Sequence, residues 1–107
     1  MGFMDLFNKG KSAEEWHNKG NELADLLRYD EAIVCFDNAL EIDPKDADIW
    51  ISKGNALMNL DRFEEAIVCY DNALKIDLKD AFTWYNKGNA LRKLDRSGEA
   101  IVCYDNA

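Results

Sequence analysis

The sequence predicts an all-α chain made of one helical hairpin repeated three times in tandem. Three observations carry this prediction. The first is a 34-residue period: Trp16, Trp50 and Trp84 align, as do Gly20, Gly54 and Gly88, Asn21, Asn55 and Asn89, and Cys35, Cys69 and Cys103. A fixed period in this range marks a repeat architecture, in which one supersecondary unit recurs. The second is spacing within the unit. Trp50, Gly54 and Leu57 recur at helical intervals, and Ala66, Ile67, Tyr70, Ala73 and Leu74 trace a second apolar stripe of the same periodicity. The third is the connection between them, Leu60-Asp61-Arg62, which is short enough to force the two helices antiparallel.

Residues 1–12 stand outside the three copies. Phe3, Met4, Leu6 and Phe7 are apolar, and Leu6 falls one period before Leu40 and Leu74, so this segment reads as a short helix or cap on the first repeat. Gly2 follows Met1, but Leu6 stands where a myristoylation signal wants Ser or Thr. Residues 13–46 form the first repeat. Ser12 with Glu15 has the spacing of a capping box, the first helix is expected to end near Leu27-Arg28, and the second to run from about Asp30 to Ile42, where Pro44 blocks continuation. Asp43, Asp46 and Asp48 do not have the spacing of a calcium loop and read as helix caps and solvated charge.

Residues 47–80 are the second and most regular repeat. Asp61 with Glu64 has capping-box spacing for its second helix. Gly54 costs roughly 1 kcal/mol relative to alanine inside a helix, so it implies a close approach of the partner helix. Residues 81–107 are the third repeat. Ser97-Gly98 replaces the Phe63-Glu64 pair, and the equivalents of Leu74-Lys75-Ile76 are not reached. An inner-type face without a polar terminal unit exposes apolar surface, here Ile101, Tyr104 and Ala107. One reading is a piece of a longer array. The other is a unit whose start (Phe3, Leu6, Phe7) completes the end of a second copy, giving head-to-tail filaments or rings, or pairing through two C-terminal ends.

Composition bounds the function. The net charge is −8, with Lys+Arg 13 against Asp+Glu 21. That balance argues against a nucleic-acid or anionic-membrane surface, which needs a basic patch, and favours basic partners. No stretch approaches the ~20 apolar residues of a membrane span, and no basic region precedes a long apolar core as in a secretory signal. The three cysteines lie one period apart, which suggests neither a zinc set nor a disulfide framework. Reduced thiols fit a cytoplasmic protein. His17 is the one histidine and has no Cys or Ser near it in the sequence. No nucleophile–base pair, metal set or phosphate loop appears at usable spacing, so neither an enzyme nor a cofactor is expected.

The pattern Trp50, Gly54, Leu57, Ala66, Tyr70 and Ala73, with Pro44 closing the first copy, resembles that of the tetratricopeptide repeat family. The likeness extends from Ala13 to Ala107 and recurs three times in phase. Leu23, Leu57 and Leu91 stand where the family usually has tyrosine, and Leu78 replaces the closing proline of the second copy. The resemblance implies an α-solenoid, a right-handed superhelix of antiparallel helix pairs whose first helices line a concave groove for a partner peptide or helix. The groove positions are then Glu14, His17, Asn18, Asn21 and Asp25 in the first repeat. In the second they are Asp48, Ile51, Ser52, Asn55, Met58 and Asn59. In the third they are Phe82, Tyr85, Asn86, Asn89, Arg92 and Lys93.

Asn21, Asn55 and Asn89 form a ladder able to bond the backbone of an extended peptide, since an amide both donates and accepts. Charge along the groove passes from acidic to basic, matching a segment with a basic and an acidic end. One subgroup of the family grips a C-terminal carboxylate, as in chaperone tails, through Lys and Asn, then Asn, then Lys and Arg. The matching places here are His17, Asn21, Ser52, Phe82 and Asn86, and only Asn21 agrees. Without the cations, a grip of that type is not expected. Trp16, Trp50 and Trp84 read as core. Val34, Val68 and Val102 stand where the family carries an exposed charge and would form an apolar stripe on the convex side. The function expected is a protein-interaction scaffold, with self-assembly through the terminal faces as the alternative.

Overall fold

The computed structural model of the chain describes residues 11–107. Six helices follow one another among these residues: α1 (Ala13–Asp25), α2 (Tyr29–Ile42), α3 (Ala47–Asn59), α4 (Phe63–Ile76), α5 (Ala81–Lys93) and α6 (Ser97–Asn106). Each odd-numbered helix pairs with the next, and each pair stacks on its neighbour to give an all-α solenoid 45 × 25 × 23 Å across. The odd helices also approach one another across the stack, α1 against α3 and α3 against α5. The even helices lie further apart, which places the odd row on the inner side of a curved stack.

Local chemistry explains the boundaries. Ser12 caps α1 with the full capping box: its hydroxyl accepts from Glu15 N–H, and the Glu15 carboxylate accepts from Ser12 N–H. Asp46 and Asp80 cap α3 and α5 by accepting the free N–H groups of Asp48, Phe82 and Thr83. The acidic cluster around Pro44 is thereby explained as capping, with the Asp43 carboxylate also taking the Lys45 N–H.

Asp61 does not cap α4. The residue before α4 is Arg62, whose side chain makes no cap, and Asp61 instead sits at φ 57°, in the left-handed region. Its N–H donates to Met58 C=O while Arg62 N–H reaches back to Leu57 C=O, the paired bonds of a Schellman motif. Leu27 (φ 62°) and Asp95 (φ 58°) do the same at the ends of α1 and α5. With only three residues between helices, this one closes the helix behind it. The next helix is preceded by Arg28, Arg62 or Arg96, each paired with a glutamate three residues on, namely Glu31, Glu65 and Glu99.

The core fills the space between rows. Trp16 is buried, and Trp50 and Trp84 are half-buried against the core clusters. Trp50 and Trp84 donate their indole N–H to the carbonyls of Pro44 and Leu78, at 2.8 and 2.7 Å. The position therefore needs a carbonyl and not a proline ring, which is why Leu78 is tolerated. Gly20, Gly54 and Gly88 face Phe36, Tyr70 and Tyr104, with an added Cβ falling 2.4, 2.6 and 2.6 Å from the ring. The glycine is the slot that lets each pair close. Lys53 bonds Asp37 and Lys87 bonds Asp71, both at 2.7 Å, tying each pair to the one before it. Thr83 occupies the place of fully buried Ile49 and is itself fully buried, its hydroxyl without a partner among the described residues.

The stripe of Val34, Val68 and Val102 lies on the even helices at 49, 59 and 59% exposure. Ile33, 8% exposed, is covered by the next pair, whereas its equivalent Ile101 is 59% exposed. Tyr104 is half-buried and Ala107 exposed. Phe3, Leu6 and Phe7 lie outside the described residues.

Candidate functional site

All seventeen expected groove residues stand on α1, α3 or α5, the inner row. Glu14, Asp25, Asp48 and Phe82 are exposed and Ile51 is half-buried. Asn18, Asn21, Asn55, Asn59, Tyr85, Arg92 and Lys93 are exposed there, and His17, Ser52, Met58, Asn86 and Asn89 are half-buried.

The asparagine ladder divides. The Tyr70 hydroxyl donates to Asn55 Oδ1 at 2.6 Å, and the Tyr104 hydroxyl donates to Asn89 Oδ1 at 2.6 Å. Both carbonyl oxygens are thereby committed within the stack, and the amide orientation is set with the NH2 group as the donor left over. Asn86 Nδ2 adds a long contact of 3.4 Å to the same Asn55 oxygen. Asn21 lacks this anchor because Phe36 stands where Tyr70 and Tyr104 carry hydroxyls. Asn59 Nδ2 donates to the main-chain carbonyl of Asn55 at 2.9 Å, one turn back on the same helix. The ladder thus offers fixed donors at two rungs rather than free donor–acceptor amides at three. The signal was present in the sequence as Tyr70 and Tyr104 one period apart, fifteen residues beyond each asparagine, but the direction of their hydroxyls depends on the helix crossing.

His17 does have a serine beside it. Its Nε2 lies 2.8 Å from Ser52 Oγ, across the junction of the first two pairs, and its ring sits edge-on to Phe36. No carboxylate bonds the other ring nitrogen among the described residues, so the group that would orient a catalytic histidine is missing. The pair is a tie between repeats on the groove floor.

Three hollows open on the inner face. One of about 230 Å³ lies between the first two pairs, and its lining includes Asn21, Asp25, Ser52, Asn55 and Asn59. A second, of about 390 Å³, is lined by Tyr85, Asn89, Arg92 and Tyr104. A third, also about 390 Å³, is lined by Ala81, Phe82, Tyr85, Asn86 and Ala107. Phe82 is 79% and Tyr85 52% exposed, and the Tyr85 ring lies 5.7 Å from that of Tyr104. Phe82 was legible as a groove position and as a mismatch to a carboxylate grip; its exposure is a tertiary fact.

The thiols are set apart from this face. Cys35, Cys69 and Cys103 are buried and free, and desolvation raises all three, Cys69 to about 11. Burial likewise raises the Tyr70 hydroxyl, keeping it a donor to Asn55. Among the described residues no group of three His, Cys, Asp or Glu side chains is gathered for a metal ion, and no helix is long and apolar enough to cross a membrane.

Known proteins resemble this arrangement in fold. The first TPR of Spaghetti (RPAP3), bound to HSP90 peptide SRMEEVD, superposes with a TM-score of 0.87 at 24% identity, over 89% of this chain and 75% of that one. The second TPR of Spaghetti with the same peptide gives 0.86 at 20%, over 95% and 94%. MamA gives 0.87 at 19% over 89% of this chain, which spans about half (52%) of MamA. No curated protein matches the chain. Models of the tetratricopeptide repeat match residues 13–46 and 47–80, and a further model of that repeat matches 83–107. With those matches spanning most of the sequence and six helices stacked in the same register, the chain belongs to the tetratricopeptide repeat family.

Proposed function

We propose that the chain is a protein-interaction module, not an enzyme, and that it holds an extended or helical segment of a partner protein along α1, α3 and α5. The observation that carries this reading is the fixing of Asn55 and Asn89 by the Tyr70 and Tyr104 hydroxyls. A donor held in one orientation on an open face loses little entropy on binding, which is the condition for recognising a peptide carbonyl. The two Spaghetti structures hold a peptide on the same fold. This chain differs from a carboxylate grip, because His17 and Ser52 bond each other and Phe82 stands where a cation would be needed. The partner therefore differs in chemistry. The buried, protonated thiols accord with residence in a reducing compartment such as the cytoplasm.

Display of random 12-residue peptides on phage, selected on the wild type and counted again on Asn55→Ala and Asn89→Ala, tests the groove. Selected peptides should bind each variant at least about tenfold less tightly, a loss of about 1.4 kcal/mol. Undiminished binding to both variants would remove the reading. A second reading, self-assembly through the face bearing Ile101 and Tyr104, is favoured by the exposure of Ile101 where Ile33 is buried. Light scattering over a concentration series should then show growth that Ile101→Lys abolishes. Growth that survives Ile101→Lys, or no growth at all, counts against it.

A further inference from the structure

The inner face is chemically polar along its length. In the hollow between the first two pairs the one charged lining residue is Asp25, set among Asn21, Asn55 and Asn59. In the hollow on the third pair the one charged lining residue is Arg92, set between Tyr85 and Tyr104. The adjoining hollow, floored by Phe82 and Tyr85, has no charged lining residue. Arg92 and its neighbour Lys93 are exposed and form no ion pair among the described residues. Phe82 is not bare merely for want of a following repeat: Asp48, its equivalent, is exposed although a further helix pair stacks beyond it. Phe82 and Tyr85 form a contiguous exposed aromatic surface, and Tyr85 shares its second hollow with the unpaired Arg92 guanidinium; it is such contiguous patches, rimmed by polar groups, that mark contact sites.

We propose that the third helix pair recognises a bulky apolar side chain and an adjacent carboxylate on the partner segment, and that the first two pairs take a basic residue of that segment. This rests on the groove reading above and gives it a chemistry and a direction. The apolar side chain lies between Phe82 and Tyr85, where aromatic rings supply area at little entropic cost. The carboxylate accepts a charge-assisted bond from Arg92, with the Asn89 NH2 beside it as a second donor. The basic residue pairs with Asp25. A 12-residue segment extends to about 40 Å, enough to reach both hollows in a molecule 45 Å long. Reversal of the segment would set like charges against each other at both ends, which is how a groove selects one direction.

The test uses a fluorescein-labelled 12-residue peptide with two lysines at one end and phenylalanine followed by two glutamates at the other, read by anisotropy. Phe82→Ser and Arg92→Glu should each weaken binding at least tenfold, and Asp25→Lys several-fold, with circular dichroism unchanged because all three sites are exposed. A peptide with lysines in place of the glutamates should regain affinity for Arg92→Glu. The random 12-residue library of the preceding section separates the two readings. If it yields binders that Asn55→Ala weakens but Phe82→Ser and Arg92→Glu do not, the groove stands and this proposal falls. If it yields none, both fall.

Discussion

Replacing Gly54 by alanine sets two known effects against each other. Alanine favours the helix by about 1 kcal/mol over glycine. Against that, the new Cβ would lie 2.6 Å from Tyr70 Cε1, closer than real contacts allow, and a tight 3.0 Å from Cδ1 and Cζ. Tyr70 is fully buried and cannot swing into solvent, and any displacement pulls its hydroxyl from Asn55. Overpacking costs about 1–3 kcal/mol, and a lost hydrogen bond adds about 0.5–1.5 kcal/mol. Packing therefore outweighs propensity, and Gly54→Ala should destabilise by about 1–3 kcal/mol, lowering Tm by at least ~4 °C in a domain of this size. Gly98 is the internal control, since an added Cβ there meets nothing within 4 Å. Gly98→Ala should be neutral or stabilising by up to about 1 kcal/mol. Urea and thermal melts followed by circular dichroism read both. A Gly54→Ala protein as stable as wild type, or a Gly98→Ala protein that is weaker, would refute the slot argument.

Thr83→Val keeps the shape at a fully buried site while removing a hydroxyl with no partner, so it should stabilise by about 1 kcal/mol in the same melts; a loss would mean the hydroxyl is satisfied after all. Leu27 holds an exposed, left-handed turn at φ 62°, which costs a residue with a Cβ roughly 1–2 kcal/mol, so Leu27→Gly should raise Tm by a few degrees. Burial lifts Cys69 from about 9 to about 11, so the unfolded chain releases that proton first. Its stabilising contribution is complete below about pH 9 and falls as pH rises toward 11, by at most about 1.4 kcal/mol per unit. Cys69→Ala should flatten the urea-midpoint profile over that window, and an unchanged slope would show the thiol to be less buried than described.

The repeat, the hairpin and most helix ends are legible in the amino-acid order, because each depends on neighbours a few residues apart. Ser12 and Glu15 cap α1 as their spacing says, and the recurrence of Trp16, Trp50 and Trp84 is enough to identify a stack. Asp61 shows where such reading fails. Its spacing to Glu64 suits a cap, but in a three-residue connection the same residue must satisfy the last carbonyls of α3, and those claim it first. Contacts between repeats are of a different kind. That His17 meets Ser52, that Tyr70 and Tyr104 commit the oxygens of Asn55 and Asn89, and that Phe82 and Arg92 line two hollows joined by Tyr85 all depend on how far each helix is rotated about its axis when it packs. Periodicity assigns a residue to a face; only the crossing of two helices decides which atom on that face another can reach.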